Sequence, residues 1–84
     1  MRVALKLYAS LADHLPPEAR KTNRLELELP PATTVAQVIE RQSLPPRSCH
    51  LVLVNGVFVP PAERDRRALE PGDELAIWPP IAGG

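Results

Sequence analysis

The chain has 84 residues, enough for one small domain around one thin core. Ten Lys and Arg balance ten Asp and Glu, a formal net charge of +0 that argues against nucleic acid or an anionic membrane as the obligate partner. The single cysteine, Cys49, excludes an internal disulfide framework and a cysteine-rich zinc site. No apolar run approaches the roughly 18 residues of a membrane span and no secretory pattern opens the chain, so the expected compartment is the cytosol.

Proline supplies the punctuation. Of 11 prolines, ten form the pairs Pro16-Pro17, Pro30-Pro31, Pro45-Pro46, Pro60-Pro61 and Pro79-Pro80. A pair removes amide donors and clashes with a preceding turn, so it marks a boundary rather than the inside of a helix or central strand. The pairs divide the chain into segments 1–15, 18–29, 32–44, 47–59 and 62–78. Their near-regular spacing resembles a repeat, but the segments differ in period and composition, which excludes one.

In the first segment Val3, Leu5 and Leu7 alternate with Ala4, Lys6 and Tyr8, the two-residue period of a half-buried strand. Ser10 is placed to cap a short helical turn that runs to Leu15, ahead of Pro16. Arg24 to Leu29 alternates again, with Leu25, Leu27 and Leu29 on one face, and predicts a second strand antiparallel to the first. The third segment changes period: Thr34 and Gln37 match a capping box, and Val35, Val38 and Ile39 fall at helical spacing. A helix of about ten residues is marginal alone, so it must lie on the sheet. Leu51 to Val59 reads as a hairpin about Asn55-Gly56, the preferred centre of a type I′ turn. Glu70-Pro71-Gly72-Asp73 fits a type II turn, and Leu75 to Trp78 makes a last short strand. The order is that of an α+β domain, with one main helix across one face of a mixed sheet of about five strands.

One helix leaves the other face of the sheet open. Alternation from the inward residues sends Tyr8 and Trp78 outward, and Phe58 between Val57 and Val59 fits the same side. All three aromatics of the chain then share the open face, as expected of a partner-binding patch. The alternative is that Phe58 or Trp78 covers a small core at a sheet edge. The chain closes Trp78-Pro79-Pro80-Ile81-Ala82-Gly83-Gly84, with the prolines ending the strand and aiming an extended tail outward. From Pro79 those residues reach at most about 20 Å. A diglycine threads a narrow channel and leaves its carbonyl open to a nucleophile. Small residues are also ordinary at chain ends, so composition alone leaves both readings standing.

Three runs carry a resemblance: Leu7-Tyr8-Ala9-Ser10-Leu11, Val54 to Val59 around Asn55-Gly56, and Gly72-Asp73-Glu74 continuing to Gly84. Together they resemble the MoaD/ThiS family of sulfur carriers over essentially the whole chain. The length and Pro-Pro tail look more like MoaD, the small subunit of molybdopterin synthase. The resemblance implies a ubiquitin-like β-grasp domain at 1–78 and an extended, flexible C-terminal tail at 79–84. It implies a carrier with no self-contained active site and no bound cofactor or metal. An adenylating enzyme of the MoeB/ThiF type would use ATP to activate Gly84, and a sulfur donor, a cysteine desulfurase or rhodanese, would convert the adenylate to a thiocarboxylate. A MoaE-type large synthase subunit would take the sulfur for molybdenum cofactor biosynthesis. Gly83, Ala82 and Ile81 would thread the tail into partners, and Tyr8, Phe58 and Trp78 match the hydrophobic docking positions. Tyr and Trp stand where Phe is common in the family, which keeps an apolar ring. A ThiS-like carrier for thiamine thiazole or another sulfur pathway, and a ubiquitin-like protein modifier, share the same tail.

Other constellations are sparse. Cys49-His50 is the one Cys/His pair, and neighbours on a strand face opposite ways, so a structural role is expected. His14 with Asp13 lacks the three or four ligands of a metal site. Glu26 and Glu28 read as a solvated face. Arg64, Arg66 and Arg67, diluted by Glu63, Asp65 and Glu70, are expected to form a loop salt-bridge network or a partner contact.

Overall fold

A computed structural model describes residues 1–80. Of the expected tail at 79–84, Ile81 to Gly84 lie outside the described residues. Five strands, β1 (Arg2–Leu7), β2 (Arg24–Glu28), β3 (Leu51–Val54), β4 (Val57–Phe58) and β5 (Glu74–Trp78), form one sheet in the order β2-β1-β5-β3-β4. β1 runs parallel to β5, and the other pairings are antiparallel. The helix α1 (Val35–Arg41) packs Val35, Val38 and Ile39 into the core. On the sheet side that core is built from Leu5, Leu7, Val52, Val54, Leu75 and Ile77, all buried. The two-residue alternation thus divides the strands as expected, with the odd residues of β1 and β5 and the even residues of β3 facing α1.

The turns follow their local chemistry. Asn55 (φ 50°) and Gly56 (φ 82°) both take positive φ, as a type I′ hairpin requires. Gly72 (φ 86°) occupies the third position of the Glu70–Asp73 turn, closed by the Asp73 amide donating to the Glu70 carbonyl at 3.0 Å. At α1 the Gln37 amide donates to the Thr34 hydroxyl at 3.2 Å, and the Thr34 amide donates to Gln37 Oε1 at 2.9 Å. The capping box is therefore complete.

Three expectations are corrected. Ser10 does not cap: the 3₁₀ segment spans Ala9–His14 and starts from Tyr8 without a side-chain cap. Tyr8 stays in the sheet through its amide, which donates to the Ile77 carbonyl, while its carbonyl accepts from Leu11, so the turn begins before Ser10. The helix has 7 residues rather than about ten. Ser43 enters the left-handed region at φ 56°, and the Leu44 and Ser43 amides close back on the Ile39 and Glu40 carbonyls at 3.0 Å each. That Schellman-type closure ends the helix early. Finally, three proline pairs do more than interrupt. Pro16, Pro45 and Pro60 are extended caps, and Pro17, Pro46 and Pro61 open single 3₁₀ turns. There the missing amide costs nothing.

Candidate functional site

The register orders the open face into rows. Tyr8, Trp78 and Leu51 form the row at the end where β5 leads into Pro79. Lys6, Ala76, Leu53 and Phe58 form the next, continued on β2 by Arg24. Glu26, Ala4 and Glu74 form a third, and Glu28 with Arg2 a fourth. The face thus has two halves. Toward β3, β4 and the end of β5 it is apolar; toward β2 and the start of β5 it is charged.

The apolar half contains all three sequence-predicted aromatics. Tyr8 and Trp78 stack, ring centroids 4.2 Å apart and planes 4° off parallel. They meet because they extend the parallel β1–β5 register by one residue, which places them side by side. Both residues are half-buried. Phe58 stands on the same face opposite Leu53 and is 49% exposed. It is therefore not covering a core. Leu51, absent from the sequence-based list, joins the patch opposite Trp78; its place in the β3 alternation was the available signal. Val57 alternates to the other face but is 68% exposed, because β4 is a two-residue edge strand. The Trp78 carbonyl accepts from the His50 amide at 3.0 Å, which fixes the backbone just ahead of Pro79.

The charged half neutralises itself. Arg2 pairs with Glu28 at 3.0 Å, Arg24 with Glu74 at 3.2 Å and with Glu26 at 3.4 Å, and Lys6 with Glu74 at 3.7 Å. Such exposed pairs contribute about 0–1 kcal/mol each. Their effect is to leave the apolar half as the part of the face whose desolvation is favourable.

The arginine cluster does not form the salt-bridge network that was one of its two expected roles. None of the ion pairs among the described residues includes Arg64, Arg66 or Arg67. Arg64 is buried and donates to the Val59, Cys49 and His50 carbonyls. Arg66 and Arg67 donate to the Ala62 and Ala68 carbonyls. Backbone carbonyls took the place of acidic partners, and those of Val59 and Cys49 are buried and need a donor. Cys49 is buried, its thiol donating to the Pro45 carbonyl at 3.5 Å, while His50 is exposed. Burial pushes the Cys49 thiol above its ordinary value, and Arg64 opposes that shift. A thiol held protonated is a poor nucleophile. Burial likewise lowers Arg64 from its ordinary value, against a smaller opposing effect from Cys49. Among the described residues, no group of three or more His, Cys, Asp or Glu is arranged to hold a metal ion, and no helix is long and apolar enough to cross a membrane.

A model of the ThiS family matches residues 14–84. Among solved structures, SAMP1 from Haloferax volcanii aligns with a TM-score of 0.69 at 23% identity, covering 100% of both chains. The putative molybdopterin converting factor, subunit 1, from Pyrococcus furiosus gives 0.70 at 20% identity, covering 96% of this chain and 99% of that one. A chain from the complex of subunits 1 and 2 of the molybdopterin-converting factor from Helicobacter pylori gives 0.59 at 13% identity, with 100% of both chains covered. No curated protein matches the sequence. The five-stranded mixed sheet with, among the described residues, one α-helix is the ubiquitin-like β-grasp that these structures share.

Proposed function

The chain belongs to the ThiS family, and from that premise we propose that it carries sulfur on Gly84 as the small subunit of a molybdopterin synthase. The observation that carries this reading is the family match running through residue 84, on a fold whose last strand passes an apolar patch just before the tail. Gly84 is the acyl group. Its carboxylate attacks ATP on a MoeB/ThiF-type enzyme, releasing pyrophosphate and forming an acyl adenylate. AMP is a good leaving group where oxide is not. The outer sulfur of a persulfide on a cysteine desulfurase or rhodanese then displaces AMP to give an acyl disulfide. A second thiol cleaves its S–S bond, forming a disulfide and leaving a thiocarboxylate whose sulfur is the nucleophile delivered to a pterin precursor on a MoaE-type large subunit. Gly83, Ala82 and Ile81 keep the approach narrow, and Tyr8, Trp78, Phe58 and Leu51 form the docking surface. The Helicobacter pylori complex of subunits 1 and 2 supports a large-subunit partner for this fold.

The test is intact-mass analysis after incubation with activating enzyme, ATP and sulfur donor. One oxygen is expected to be exchanged for sulfur in the full chain and not in a variant lacking Gly84. Equal modification of that variant would overturn the assignment. The ThiS match also favours a second acceptor, a thiazole precursor. Presenting the loaded carrier with the pterin system and the thiazole system separately, and following which one consumes the thiocarboxylate, decides between them.

A further inference from the structure

On the helix side of the sheet one guanidinium fastens both legs of the β3–β4 hairpin. Arg64 is 8% exposed and donates from Nε to the Val59 carbonyl at 3.2 Å. Its terminal nitrogens donate to the Cys49 carbonyl at 2.7 Å and the His50 carbonyl at 3.2 Å. Cys49 and His50 lead into β3, and Val59 leads out of β4. Cys49 and Val59 are buried, so these carbonyls have little access to water. The Arg64 backbone carbonyl in turn accepts from the Ala36 amide in the first turn of α1 at 2.8 Å. One residue thus ties the helix to both ends of the hairpin.

The consequence reaches the opposite face. The His50 peptide has its carbonyl on Arg64, and the residue's amide holds the Trp78 carbonyl at 3.0 Å, where the tail begins. The same hairpin carries Leu51, Leu53 and Phe58 in the apolar rows. We propose that Arg64 is a positioning residue for the carrier's docking surface: it clamps the hairpin stem from behind and so holds the apolar rows and the Trp78 carbonyl in place. The proposal deepens the sulfur-carrier reading and depends on it only for which partner meets that face. Lysine cannot substitute, because an ammonium lacks the planar fork that spans three carbonyls. Arg66, exposed and with its guanidinium donating, among the described residues, to the Ala62 carbonyl four residues back, is the internal control.

Arg64→Lys and Arg66→Lys test the clamp through residue-resolved amide exchange and the kinetics of Gly84 adenylation. In Arg64→Lys the His50 and Val59 amides are expected to exchange about ten times faster or more, while Leu7 and Leu29, bonded on the β1–β2 side, stay protected. The KM of the MoeB/ThiF-type enzyme for the carrier should rise about tenfold with kcat nearly unchanged, as expected when only docking is impaired. Arg66→Lys should match the wild type in both. Equal loss of protection across the whole sheet, or local loosening with an unchanged KM, would overturn the proposal. Should Arg64→Lys fail to fold, the wild type still decides: His50, Val59 and Ala36 amides must open as one unit with one denaturant dependence, and separate openings count against the clamp. A wild-type chain that is never adenylated sinks the sulfur-carrier reading, whereas the exchange pattern judges the clamp itself.

Discussion

Cys49 shows how one buried side chain links the fold to pH. The residue is 3% exposed, its thiol is bonded to the Pro45 carbonyl, and burial raises the thiol above the ordinary 9.0. The native state therefore holds this proton more tightly than the unfolded chain does. The stabilisation is fully present below the unfolded value and is lost as pH rises through the folded one. We expect stability to decline as pH passes about 9, and Cys49→Ala to flatten that decline. Urea midpoints measured from neutral to alkaline pH would show it; identical slopes for the two proteins would rule out Cys49 as the titrating group. The same burial predicts slow alkylation of the folded protein at neutral pH. From the sequence, opposite orientations of Cys49 and His50 were legible, and so was the structural role. The guanidinium behind Cys49 was not, because nothing in the run from Glu63 to Arg67 distinguishes an arginine that turns inward from one that stays in solvent.

At the scale of elements, β2, α1 and the β3–β4 hairpin were legible because each has a local cause: strict alternation, a capping box, an Asn-Gly turn. What the sequence hid was pairing. Neither β1 nor β5 names the other as its parallel neighbour, since that contact depends on how the chain between them packs. Single 3₁₀ turns after proline pairs have too few residues to show a period. Asn55 joins the two levels. Beyond making the turn, its Nδ2 donates to Asp73 Oδ1 and its Oδ1 accepts from the Glu74 amide, both at 2.9 Å. The other Asp73 oxygen accepts from the Glu70 amide at 2.9 Å, so the β3–β4 turn is clipped to the turn that launches β5. Asn55→Ala removes two bonds, leaves part of a buried carboxylate unsatisfied and forces alanine to positive φ. The expected cost is about 1–3 kcal/mol. For a domain this small the melting point should fall by roughly 10 °C. Asn55→Gly keeps the backbone angle but not the clip, so it isolates the side-chain contribution. An unchanged melting point for Asn55→Gly beside a lowered one for Asn55→Ala would mean that Asn55 acts only within its turn.

For the whole molecule, the proposed function assigns docking and chemistry to separate parts of the chain. The apolar rows stand on a rigid sheet, while the proposed acyl group is Gly84, beyond the last strand. Both readings start from the sequence, because alternation fixes which side of each strand is open and the chain beyond Ile81 carries almost no side chains. It could not show that the open face is split, since the ion pairs of Arg2, Arg24 and Lys6 arise only once β2, β1 and β5 lie side by side. That split makes the two activities separable by mutation. Phe58 is half exposed, so Phe58→Asp should fold and melt nearly as the wild type does. It places a charge in the proposed contact, which must be desolvated, and an aromatic anchor of this kind contributes about 2 kcal/mol or more. The large subunit should then bind roughly 30-fold more weakly by calorimetry. At saturating activating enzyme the same variant should still gain sulfur at Gly84. Deletion of Gly83 and Gly84 should give the converse: an unchanged fold and no sulfur. Wild-type affinity in Phe58→Asp would remove Phe58 from the docking surface. Failure of Phe58→Asp to load at any enzyme concentration would show that face and tail act as one site.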